Sequence, residues 1–105
     1  MKFNFDYQFI DENQKPITIG PLKDPATLKQ VSVMALLHGP DQGHDMSKKR
    51  QRYDIAVKIK NFGPQAELND SDVTLLKEMI GVSMVPLVVG QSVAILEGNE
   101  PPTFV

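Results

Sequence analysis

The chain has 105 residues, 41% of them hydrophobic and 23% charged, no cysteine, and a formal net charge of −2. Its length suits one domain, and its ordinary apolar content excludes wholesale disorder. The lack of thiols excludes disulfides, thiolate metal ligands and cysteine nucleophiles, and the slight negative charge argues against general affinity for nucleic acid.

The charge is unevenly placed. Residues 45–60 hold six basic residues (Lys48, Lys49, Arg50, Arg52, Lys58, Lys60) against Asp45 and Asp54, whereas residues 61–105 set Lys77 against six carboxylates. No targeting segment is expected, because the first fifteen residues alternate apolar with polar and lack the apolar run of a signal peptide. The longest apolar stretch, residues 84–89, is far short of the ~20 residues that span a bilayer. Membrane association is not expected.

Residues 2–9 read K-F-N-F-D-Y-Q-F, which puts Phe3, Phe5, Tyr7 and Phe9 on one face at period two, the pattern of a half-buried strand. A turn-like Asp-Glu-Asn-Gln follows, then a short return strand from Pro16 ending at Gly20. Residues 2–19 therefore predict a β-hairpin whose aromatic face packs on helices, since an isolated hairpin is marginal in water.

Four helices are expected after it, over 25–38, 47–61, 71–84 and 86–97. Thr27 and Gln30 have capping-box spacing; Leu28, Val31, Ala35 and the Met34/Leu37 pair form an apolar stripe that Gly39-Pro40 ends. Ser47 is the expected cap of the second helix. Its stripe comprises the Arg52 stem, Ile55, Ala56, Ile59 and Phe62, widened by Tyr53 and Val57, and Gly63-Pro64 closes it. Residues 69–72, Asn-Asp-Ser-Asp, start the third helix with acidic groups where the helix dipole favours them. Pro86 restarts a fourth helix with Ser83 as cap and Gly98 as its close; residues 85–89 also suit a buried strand, being rich in β-branched side chains. Gly81 and Gly90 lie inside these helices, where each costs about 1 kcal/mol relative to Ala, and close helix approach is one reason to tolerate them. Residues 99–105 read as an extended tail.

The expected class is α+β, an N-terminal β-hairpin packed on a bundle of three to four helices, with one globular domain over 1–98. The expected core is Phe3, Phe5, Tyr7, Phe9, Leu28, Val31, Ala35, Ile55, Ala56, Ile59, Leu76, Ile80, Val89, Val93 and Leu96.

Chemistry-bearing groups are few. His38, Asp41, His44 and Asp45 share one loop, but their spacing matches no standard zinc pattern and glycines flank the histidines, so the loop reads as solvated and no metal is expected. The run from Lys48 to Arg52 suits phosphate, RNA or an acidic protein surface, or internal pairing with the acidic segment 67–78. Tyr53 is the one aromatic near it, short of the stacking array of a nucleic-acid site. No nucleophile–base–acid grouping or phosphate loop occurs. The reading is a non-enzyme without cofactors, with Lys48, Lys49, Arg50 and Arg52 as the partner-binding residues.

Several segments carry a resemblance in order. They are Asp11-Glu-Asn-Gln-Lys-Pro16-Ile17, then Thr27-Leu28-Lys29 leading to Ala35-Leu36-Leu37, then the run from Lys49 to Ile59, then Leu75 to Gly81, and last Pro86-Leu-Val-Val-Gly90-Gln91. The chain resembles small proteins encoded by tailed bacteriophages along nearly its whole length. The resemblance implies a viral protein working in the host cytoplasm through a protein partner. The first expectation is a virion assembly factor for tail or head. The others are an inhibitor of a host defence or transcription complex and a nucleic-acid-binding accessory protein.

Overall fold

In the computed structural model, residues 1–19, 24–102 and 104 are described. The order of elements is β1 (Thr18–Ile19), β2 (Asp24–Pro25), α1 (Leu28–His38), α2 (Met46–Phe62), a 3-10 turn at Gly63–Gln65, α3 (Asp70–Ser83) and α4 (Pro86–Leu96). The protein is mostly helical. Strands β1 and β2 pair antiparallel, Thr18 with Pro25 and Ile19 with Asp24. Gly20, the expected end of the return strand, lies outside the described residues, as do Thr103 and Val105 of the expected tail.

The aromatic segment does not form the expected strand, and residues 2–19 do not make a hairpin ladder. The chain turns at Phe5–Asp6, with the Phe5 N–H donating to Phe3 O and the Tyr7 N–H to Asn4 O. Helix α1 gives the reason. A helix start leaves its first N–H groups without internal partners, and here the Leu28 N–H donates to Tyr7 O and the Lys29 N–H to Phe5 O. Thr27 Oγ1 takes the Gln30 N–H while Gln30 Oε1 takes the Thr27 N–H, the reciprocal cap that the spacing predicts. The aromatic segment thus caps a helix with carbonyls that a flat ladder would have used. Its rings still fill the core: Phe5 and Phe9 are fully buried, each edge-to-face with its neighbour, Phe3 and Tyr7, at 6.2 and 5.6 Å.

Beyond the turn, three segments close into a ring. The Phe9 N–H donates to Ala26 O, the Ala26 N–H to Ile17 O, and the Ile17 N–H back to Phe9 O. The Gln8 side-chain nitrogen sits over the ring, 2.9 Å from Phe9 O and 3.0 Å from both Ile17 O and Ala26 O.

The helices begin and end on local signals, and three of the four fall within one residue of the expected bounds; α1 starts at Leu28 and not at residue 25, because Pro25 pairs in β2 and Thr27 is the cap. Asp45, not Ser47, caps α2 by accepting the Lys48 N–H at 2.9 Å. A carboxylate suits this end better than a hydroxyl, because it offsets the basic first turn as well as the helix dipole. Gly63 closes α2 at φ 52°, ψ −127°, outside the space of L side chains. Asn69 and Asp72 form the capping box of α3. Val85 is the N-cap residue of α4 in place of Ser83, with Pro86 at its first position, so residues 86–89 are helix and not strand. Gly98 and Asn99 close α4 by donating to Ile95 O and Ala94 O.

The core lies between α1, α2 and α3, with Leu28, Ala35, Leu36, Ile55, Ile59, Leu75, Leu76, Met79 and Ile80 all at most 2% exposed. The Cα radius of gyration, 13.3 Å, is what about 100 residues give around one core. Helices α1 and α3 approach closely at Gly39: a Cβ there would stand 2.3 Å from Ala35 O and 2.7 Å from both Met79 Cε and Ser83 Oγ. Close approach therefore explains Gly39 and not Gly81 or Gly90, where a Cβ would meet nothing within 4 Å.

Three expectations about the core are corrected. Met34 and Leu37 are 43% and 42% exposed, and Tyr53, Val57 and Phe62 are exposed too. The buried stripe of α1 runs through Leu28, Val31, Ser32, Ala35 and Leu36, which leaves Met34 and Leu37 on the other side of a 3.6-residue period. Phe3, Tyr7, Val89 and Val93, all expected in the core, are only half-buried; on α4 the buried positions are Gln91, Ser92 and Leu96.

Candidate functional site

The four basic residues at the start of α2 separate into two groups. Lys48, Lys49 and Arg50 are exposed. Lys49 Nζ lies 3.3 Å from Asp41 Oδ2, and Arg50 Nε lies 3.1 Å from Asp54 Oδ1 one turn on. All four partners are more than half exposed, so each pair is worth under about 1 kcal/mol and exchanges readily for an external anion. The hydrogen bond from Lys49, helped by the His44 N–H, holds the Asp41 carboxyl below its ordinary range.

Arg52 does not join them. It is 6% exposed. Its Nε donates to Leu36 O at 2.9 Å and its Nη2 to Gly39 O at 3.0 Å, with Pro40 O at 3.5 Å from Nη1. The guanidinium caps the C-terminal end of α1, where unpaired carbonyls and the negative end of the dipole favour a cation. It joins α2 to α1 instead of facing a partner. Nor does the acidic start of α3 pair with the exposed run: Asp72 accepts from Gln51 Nε2 and lies 3.9 Å from Lys58 Nζ, further along α2.

The two histidines do not share a loop, since His38 is the last residue of α1, and they serve different surfaces. His44 Nε2 lies 2.7 Å from Glu78 Oε2 on α3, with the ring largely buried and Nδ1 unpartnered. His38 instead lines a groove with residues of α1 and α2. Among the described residues no group of three or more His, Asp or Glu side chains is placed to hold a metal ion.

What the tertiary structure adds to the exposed cations is the seam between α1 and α2. The helices run antiparallel, since Arg52 meets the end of α1 and Lys60 lies with Lys29 near its start. A cleft of about 360 Å³ opens at one end of the seam between Leu37, Asp41, Lys49 and Tyr53. A groove of about 300 Å³ opens at the other between Lys29, Val33, Met34, His38 and Lys60. Tyr53, Val57 and Lys60 share one helix face by their spacing, so exposed apolar groups join the two ends. Neither Lys29 nor Lys60 forms an ion pair among the described residues.

The sequence reading missed this seam, although Met34 and Leu37 fall off the stripe of Leu28, Val31 and Ala35. Among the described residues no helix is long and apolar enough to cross a membrane. No protein-family model matches the chain, and no curated protein or solved structure matches it.

Proposed function

We propose that the protein is a non-catalytic binding protein that takes an acidic protein partner on the start of α2 and the α1–α2 seam. One observation carries this reading. Lys48, Lys49 and Arg50 stand exposed at one end of a seam whose middle is exposed apolar side chain and whose far end carries Lys29 and Lys60. Cations around apolar groups suit a partner with carboxylates around an apolar stripe: charge steers the encounter, and apolar burial supplies affinity.

The resemblance to small tailed-phage proteins supports a setting in the host cytoplasm, with a tail or head protein as the partner and virion assembly as the role. Helix α3 favours this over inhibition by nucleic-acid mimicry, because Asp72 is buried and engaged within the fold. Its acidic start offers correspondingly little charge to an external cationic site.

The test uses the tagged full chain in phage-infected cells, with recovered proteins identified by mass spectrometry. A virion protein should be recovered, less of it at raised salt, and the K48E/K49E/R50E variant should lose it. Equal recovery by parent and variant at low salt would remove the contact surface. Recovery of a host complex in place of virion protein would move the role to inhibition.

A further inference from the structure

The cations around the α1–α2 seam are not equally available. At the start of α2, Lys48, Lys49 and Arg50 stand among Asp41, Asp45 and Asp54, so that end is locally neutral. Lys58 has Asp72 within 3.9 Å, and Arg52 commits its donors to α1 carbonyls. The groove at the other end differs. It is lined by Lys29, Gln30, Val33, Met34, His38 and Lys60, with no carboxylate among them. Neither lysine has an ion pair among the described residues, although Lys29 is half-buried.

Every polar side chain on this groove offers a donor. The lysines carry ammonium groups, and the His38 ring has an N–H in either tautomer. Gln30 is fixed by its part in the capping box: its Oε1 accepts the Thr27 N–H, which leaves Nε2 as the open group of the amide. Between these donors the wall is apolar, with Val33 packed on the core and Met34 43% exposed. A matching ligand brings acceptors, negative charge and an apolar group together.

Granted the binding role proposed above, we infer that this groove takes the C-terminal end of the partner's chain, an apolar last residue with its free carboxylate. A terminal carboxylate has two oxygens for the two ammonium groups. It also stands on the same Cα as its side chain, so charge and apolar surface arrive as one unit. An internal Asp or Glu brings the charge without an apolar group of its own. Inorganic phosphate or a nucleic-acid backbone would satisfy the lysines and leave Val33 and Met34 uncovered. The peptide carbonyl before the last residue is one more acceptor, suited to Gln30 Nε2 or the His38 N–H. The volume, about 300 Å³, is at the low end for small-ligand sites, so it suits a chain end and not a folded surface.

The probe is an N-acetylated pentapeptide of glycine and serine ending in leucine, titrated into the isotope-labelled full chain and followed by NMR. Saturable shifts should centre on the amides of Lys29, Val33, Met34 and Lys60. Amidating the peptide's carboxylate, or ending it in glycine, should weaken binding about tenfold or more. K29A/K60A should do the same, whereas K48A/K49A/R50A should not. Circular dichroism checks that the variants fold, and the altered peptides test the site with the protein unchanged. Octanoate carries the charge and an apolar tail without peptide groups, and should bind more weakly than the peptide. Tighter binding of octanoate would assign the groove to free aliphatic acids and overturn the chain end. So would equal affinity for the acid and amide peptides, or no saturable shift at millimolar peptide. In the capture from infected cells, loss of the partner by K48E/K49E/R50E with full capture by K29A/K60A would overturn the chain-end site and leave the acidic-partner proposal standing. Full capture by both variants would overturn both.

Discussion

The side chain of Gln91 pairs with the backbone of Ile10 in both directions, as a second strand would: Gln91 Nε2 donates to Ile10 O at 2.9 Å, and Gln91 Oε1 accepts the Ile10 N–H at 3.2 Å. The same amide accepts from Tyr7 Oη at 2.8 Å and donates to Leu87 O at 2.9 Å. One buried residue thereby joins α4 to the N-terminal segment, and its position decides which side of α4 faces inward. Gln91→Ala should cost about 2–3 kcal/mol, because several polar groups lose their partner in a partly buried place. Gln91→Glu should not restore it, since a carboxylate would face the Ile10 and Leu87 carbonyls. Urea unfolding measures both, and a Q91E chain as stable as the parent would contradict the pairing.

Tyr7 belongs to the same network, and burial pushes its hydroxyl above the ordinary value of 10.0. The folded state then holds the phenol proton more tightly than the unfolded chain. That contribution to stability is complete below pH 10 and is lost as pH rises through the folded-state value. Stability followed from pH 8 upward should fall in this alkaline window by less in Tyr7→Phe than in the parent. An identical alkaline slope in both chains would exclude Tyr7 as its source.

Gln8 holds three carbonyls that belong to three different segments, those of Phe9, Ile17 and Ala26. Gln8→Ala should destabilise by about 1–3 kcal/mol. Gln8→Glu should be worse at neutral pH, because its charge meets three carbonyl dipoles, and should improve in acid as it gains a proton to donate. Amide exchange at Phe9, Ile17 and Ala26 should accelerate together in both variants. Acceleration at one of them alone would mean that the ring does not act as a unit.

Arg52 gives α2 a second role unrelated to partner binding. Arg52→Met keeps the buried stem and removes the donors to Leu36 and Gly39, at an expected cost of about 2–4 kcal/mol. Arg52→Lys should recover less than half of that loss, since a single ammonium cannot reproduce the planar fork. Thermal unfolding reads the difference. R52K matching the parent would show that charge alone suffices at the end of α1.

Local signals were legible where a few neighbouring residues settle the matter. The Thr27–Gln30 box, the acidic start of α3 and the closing glycines Gly63 and Gly98 all act within one helical turn. The stripes of Leu28, Val31 and Ala35 and of Ile55, Ala56 and Ile59 were legible for the same reason, because helical period alone places them together. The aromatic period of residues 3–9 misled because burial of Phe5 and Phe9 does not require a ladder, only a wall of helices to receive them.

The candidate site was legible in part. Lys48, Lys49 and Arg50 stand out in the sequence by charge density, whereas the neighbouring Arg52 looks the same and faces the other way. Its partners, Leu36 and Gly39, lie 16 and 13 residues earlier and become neighbours only when α1 and α2 pack.

By itself, then, the amino-acid sequence determined four helices, most of their bounds to within a residue, a basic run at the start of α2 and the absence of thiol chemistry. Each follows from residue type and spacing over a few positions. Only the tertiary structure decided that the aromatic segment caps α1, that Arg52 is internal, that an apolar seam adjoins the cations, and that α4 turns its polar residues inward. Those outcomes depend on hydrogen bonds between groups as far apart as Ile10 and Gln91, which no local pattern encodes.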